Sequence, residues 1–109
     1  FYPLANGLLT GKVRPGEPLP EGTRLANMPV ERQAHWRSEE MLARVGRLLD
    51  YANSIDTPLL TLAFSWLLSH PEVSSVIAGA TKPEQIRANA AAATTLSAAV
   101  RTRLDELTN

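Results

Sequence analysis

Residues 73–93 read VSSVIAGATKPEQIRANAAAA. The first eight, 73–80, are short, β-branched and ended by Gly79, the pattern of a buried strand in a parallel sheet. The rest is helical. Its alanines favour helix, Ile86, Ala90 and Ala93 share a face, and Thr81 with Glu84 fits the T-x-x-E capping box.

Further helices flank this unit. Upstream, TPLLTLAFSWLLSH (57–70) is apolar almost all round, so a buried helix is expected. Thr57 can cap it, Pro58 suits its first position, and Pro71 closes it, with His70 as the boundary. Before it, Ser38 reads as an N-cap, with Glu39 and Glu40 near the positive end of the helix dipole. Met41, Leu42, Val45, Leu48, Leu49 and Ala52 then form one apolar face, and the helix should end between Asn53 and Asp56. Downstream, Ser97 opens a last amphipathic helix with Val100, Leu104 and Leu107 inside and Asp105 and Glu106 solvated.

Residues 1–5 read as the end of a short buried strand, and 6–12 turn away from it through Gly7 and Gly11. Residues 13–37 hold Pro15, Pro18, Pro20 and Pro29 with Gly16 and Gly22, and show no period, so they form a loop. Loops this long in compact domains are uncommon and are usually lids or disordered. Strands alternating with helices place the chain in the α/β class with a parallel sheet. Two strands do not make a stable sheet alone, and FYPLANG opens without polar lead-in or cap. The expectation is a piece of a longer polypeptide; the alternative is a processed chain whose first strand is covered by its own fold.

The chain has 109 residues, 44% of them apolar, and eleven basic residues balance eleven acidic ones. Zero net charge argues against a nucleic-acid partner recognised by bulk charge. The absence of cysteine excludes disulfides, thiolate metal sites and thiol nucleophiles. His35 and His70 are too far apart in sequence to suggest a metal site. No apolar run reaches the ~18 residues of a membrane span, and no signal segment opens the chain. The default compartment is the cytoplasm, without a membrane partner.

The strongest chemical signal is Gly79–Ala80–Thr81 at a helix start. Unpaired N–H groups, a glycine that lets a ligand approach, the Thr81 hydroxyl and Lys82 just inside suit a phosphate dianion. Gln85 and Asn89 share a face with Thr81 and could read a base or ribose. An ordinary capped helix with a solvated face explains the same residues equally well. PLANGLLTGK (3–12) is not a Walker loop: Gly7 and Gly11 are one residue too close and Val13 is neither Ser nor Thr. Both glycines could still form a backbone-lined ligand wall at a strand's C-terminal end. His35–Trp36 could line a pocket or anchor the loop locally; Trp66 reads as core.

Two segments then converge. FYPLANGLLTGK with PEGTRLA (20–26), followed by LAFSWLLSHPEVSSVIAGATKPEQIRANAAA (62–92), resembles the C-terminal third of an aldo/keto reductase. The resemblance runs along nearly the whole chain. It implies a (β/α)8 barrel that binds NADPH without a Rossmann motif and reduces aldehydes and ketones by hydride transfer. Residues 1–109 would then be the C-terminal segment of one barrel domain. Residues 1–5 would end strand 7, 13–37 would fold over the cofactor, and 73–93 would supply strand 8 and the nucleotide-binding helix, before a C-terminal helix.

The resemblance also implies binding roles. Phe1 takes the place of the aromatic that stacks on nicotinamide. Tyr2, Pro3, Leu4, Ala5 and Asn6 line the pyrophosphate path, mostly by backbone, and Lys12 and Arg24 contact the phosphate bridge. Gly79, Thr81 and Lys82 surround the 2′-phosphate, with Gln85 and Asn89 at the adenine end. Tyr2 departs from the serine usual in YSPLA, and Ala88 from a glutamate often found before the asparagine. Lys82 favours NADPH over NADH. The family's catalytic Asp, Tyr, Lys and His lie on earlier strands and loops, and none of their motifs is in this chain. Tyr51 sits in a helix and is not the proton donor. This chain alone is expected to be inactive, and the implied partners are the rest of the barrel and a small carbonyl substrate. The competing reading is an inactive nucleotide-binding or regulatory fragment.

Overall fold

A computed structural model describes residues 2–109. The described residues form a short 3-10 segment, Ala5–Thr10, and five helices: α1 (Val30–Trp36), α2 (Glu39–Ser54), α3 (Leu59–Leu68), α4 (Pro83–Ala91) and α5 (Ala98–Thr108).

Two helices begin where a serine can bond its own backbone. The Ser38 hydroxyl accepts from the Met41 N–H at 3.2 Å and the Ser97 hydroxyl from the Val100 N–H at 3.2 Å. The apolar face of α2 meets α3 and α5. Leu48 and Ala52 are buried there with Leu59, Leu62, Leu104 and Leu107. No residue of α3 is exposed, as its all-round apolar sequence requires. Ser65 is buried within α3 and is fully used: its hydroxyl donates to the Ala92 carbonyl and accepts from the Thr94 N–H, both at 3.0 Å. A second cluster of Leu8, Val13, Leu25 and Val45 fastens the proline-rich stretch to α2. Pro15 lies against Gly46, where an added Cβ would come within 3.0 Å of its ring.

Several local expectations are corrected. Neither expected strand forms among the described residues. A strand is stabilised by a neighbour's hydrogen bonds, and 73–80 has no paired strand beside it, so it runs as an irregular segment over α3 and α4. At the other end, Tyr2, Ala5 and Asn6 adopt left-handed φ of 48°, 49° and 57°, which coils the chain into turns and the 3-10 segment. The 13–37 loop is not all loop, since α1 forms directly after Pro29. Thr57 does not cap α3; its hydroxyl donates to the Ile55 carbonyl at 3.1 Å, and Pro58 is the residue before the first turn. That helix also ends at Leu68, before His70. Asp105 is not merely solvated, because its carboxylate accepts from the Trp66 indole N–H at 2.7 Å.

Candidate nucleotide site

The start of α4 is set by Pro83. Its ring pushes the residue before it out of helical space, and Lys82 is accordingly extended (φ −137°, ψ 148°) as the capping residue. The expected box of Thr81 with Glu84 is therefore displaced by one residue. Gln85, in the first turn, reaches back instead: its Oε1 accepts from the Thr81 N–H at 2.7 Å and from the Thr81 hydroxyl at 3.2 Å. Thr81 and Lys82 are left exposed at the helix end.

Arg24 arrives here from the proline-rich stretch. The preceding Thr23 makes a tight local turn, donating its hydroxyl to the Pro20 carbonyl at 2.8 Å and accepting from the Ala26 N–H at 3.3 Å. The following Leu25 is wholly buried. Held on both sides, Arg24 extends its guanidinium to Gly79, where a Cβ would sit 3.6 Å from it. Two cations from distant parts of the sequence, Arg24 and Lys82, thus stand at either end of Gly79–Lys82. Neither is ion-paired among the described residues. Lys12 is exposed just past the left-handed Gly11, its N–H donating to the Thr10 hydroxyl at 3.4 Å.

The other expected contacts separate. Phe1 lies outside the described residues. Tyr2 is half exposed, Pro3, Leu4 and Ala5 are partly covered, and Asn6 is buried. The N–H groups of Ala5 and Gly7 are taken by the carbonyls of Tyr2 and Leu4, each at 2.9 Å. Asn89 lines a groove of about 360 Å³ between 74–80, α3 and α4, together with Phe64, Val76 and Ile86. Gln85 is bonded to Thr81 instead, so the two side chains expected at one end of a nucleotide are engaged differently.

From the residues alone, His35–Trp36 can line a pocket or anchor the loop locally. The structure gives Trp36 a partner far away in sequence: its indole meets the Tyr2 ring edge-on, with centroids 6.5 Å apart. The proline preceding Val30 and the glutamate at 31 were the available signals for the helix that carries it. Among the described residues, no cluster of three or more His, Asp or Glu could hold a metal ion, and no helix is long and apolar enough to cross a membrane.

The sequence model of the aldo/keto reductase family matches residues 1–109. An Arabidopsis thaliana protein named "Probable voltage-gated potassium channel subunit beta" is 40% identical over 91 residues, which is 82% of this chain and 27% of that protein. The NADH-specific methylglyoxal reductase of Escherichia coli K12 is 33% identical over 92 residues, 84% of this chain and 27% of its own. The L-glyceraldehyde 3-phosphate reductase of Escherichia coli O157:H7 is 34% identical over 100 residues, 89% of this chain and 28% of its own. The chain thus spans under a third of the length of these three relatives.

Proposed function

The chain belongs to the aldo/keto reductase family, and on that premise we propose that it is the cofactor-binding C-terminal part of a (β/α)8-barrel oxidoreductase. The proposed enzyme reduces aldehydes or ketones with NADPH in the cytoplasm. The observation that carries the reading is the arrival of the Arg24 guanidinium at Gly79, next to the exposed Thr81 and Lys82.

These donors fit the phosphates of a dinucleotide. A guanidinium offers a planar fork to phosphate oxygens and an ammonium a compact charge. The helix end adds backbone N–H groups and a partial positive charge. Gly79 carries no side chain between them, and even a Cβ there would stand only in ordinary contact with Arg24, at 3.6 Å. When bound, the nicotinamide supplies the hydride. The residues of this chain hold and orient it: Lys82 and Thr81 at the 2′-phosphate, Arg24 and Lys12 along the phosphate bridge, and Tyr2 to Asn6 beneath it. Gln85 would hold the Thr81 N–H until a phosphate replaced it as acceptor, and Asn89 is assigned to the adenine end. Phe1 is assigned to the nicotinamide face. The catalytic Asp, Tyr, Lys and His belong to the part of the barrel upstream of these residues, so this segment binds and does not itself catalyse. Its partners are that upstream part and a small carbonyl substrate.

A second reading is an inactive nucleotide-binding or regulatory fragment without reductase activity. It is favoured by the 40% identity to the protein named for a potassium channel subunit beta.

Titration of the full-length protein with NADPH and with NADH tests the site. Lys82→Ala should weaken NADPH by about 10-fold or more, the scale of a lost charge-assisted bond, and leave NADH nearly unchanged. Equal loss for both cofactors would overturn the 2′-phosphate assignment.

A further inference from the structure

Ser65 is a polar residue in an apolar helix and is 1% exposed. Burying a hydroxyl is costly unless its hydrogen-bonding capacity is used. Here both partners lie just past the end of α4: Oγ donates to the Ala92 carbonyl and accepts from the Thr94 N–H, each at 3.0 Å. Ala92 in turn closes the last turn of α4, its N–H donating to the carbonyls of Ala88 at 3.0 Å and Asn89 at 3.2 Å. The serine is thus joined through one residue to the helix itself. The next residue of α3 ties down the other neighbour, since the Trp66 indole N–H donates to the Asp105 carboxylate of α5.

Apolar burial does little to fix the direction of α4. Among the described residues, none of α4 is buried. Ala92, at its C-terminal end, is 3% exposed. The helix is therefore fastened at that end, while Lys82 at the other is exposed. Lys82 lies ten residues before Ala92. At about 1.5 Å per residue that is a lever of about 15 Å, so a tilt of about 4° at the fastened end moves Lys82 by about 1 Å. Arg24 does not follow such a tilt, because its neighbour Leu25 is packed in the separate cluster of Leu8, Val13 and Val45. The direction of α4 thus decides how Lys82 stands relative to Arg24.

We propose that Ser65 is a positioning residue for cofactor choice: by joining the Ala92 carbonyl and the Thr94 N–H it sets the direction of α4 and so holds Lys82 at the 2′-phosphate of NADPH. The inference rests on the nucleotide-binding reading above. Charge-assisted bonds to phosphate are short, so a displacement of about 1 Å weakens them. NADH has no 2′-phosphate and loses little. Loss of the Ser65 hydroxyl is therefore read as a changed ratio of the two affinities, which loss of stability alone does not produce.

The test is titration of the full-length protein with NADPH and with NADH. Ser65→Ala should weaken NADPH by about 3- to 10-fold and NADH by less than about 2-fold, on the scale of one lost hydrogen-bonded link. Leu62→Ala, a destabilising change in the same helix, should leave the ratio of affinities in the folded protein as it is. Ser65→Ala added to Lys82→Ala should not change the ratio further, as for residues acting through one contact; a further change would overturn the proposal. The Thr94 amide should exchange slowly with solvent in the unaltered protein, although it lies outside any helix. Fast exchange there would overturn the link whether or not Ser65→Ala folds. An unchanged ratio in Ser65→Ala, or one shifted as far by Leu62→Ala, would overturn the positioning role while Lys82→Ala still separates the cofactors, a result that leaves the nucleotide site standing. If Lys82→Ala does not separate them, the 2′-phosphate reading falls and the role of Ser65 with it.

Discussion

The bundle of α2, α3 and α5 and the arm formed by 73–80 with α4 are built on opposite terms. In the bundle the apolar residues find each other: six of them are buried in one cluster. In the arm they do not. No residue of α4 is buried, Ile86 is 61% exposed and Ile77 is 89% exposed. Yet the arm carries Gly79, the Thr81 hydroxyl and the Lys82 ammonium, the groups that suit a phosphate. One region supplies stability from within itself. The other leaves its apolar side chains uncovered.

The contrast can be broken at its strong end. Leu62 is 1% exposed at the centre of the bundle. Leu62→Ala should cost about 2–5 kcal/mol, from lost burial plus the cavity left behind. Chemical denaturation should show it as a lowered midpoint, and a loss below ~1 kcal/mol would mean that the bundle is not the seat of stability.

At its weak end the contrast can be sharpened. Ile77→Ser in the 109-residue chain should change stability by no more than ~0.5 kcal/mol, as at other exposed positions. A larger loss in the same denaturation measurement would show that this face is already packed.

The same division governs what could be read from the residues alone. Ser38 and Ser97 were legible as helix starts because each bonds its own backbone three residues on. The burial of α3 was legible because its sequence leaves no polar face. Errors gathered at prolines and at long-range contacts. Pro58 and Pro83 each moved a helix start past the threonine expected to cap it. The prolines of 13–37 masked α1, a seven-residue helix with no buried residue and so no apolar period to see. A strand exists only through its neighbour, so 73–80 could show the composition of one without forming it. In the candidate site, Gly79, Thr81 and Lys82 are read from the residues themselves and Arg24 only from the resemblance. The approach of Arg24 to Gly79 and the capture of Thr81 by Gln85 were not legible, because both depend on how the chain folds back.

The most direct test of the account is hydrogen exchange of the full-length protein with and without NADPH, followed segment by segment. Amides in 79–91 and around Arg24 should gain protection when NADPH is added, while α2, α3 and α5 are protected already and change little. Protection gained only in the bundle, or none gained in 79–91 under saturating NADPH, would contradict it.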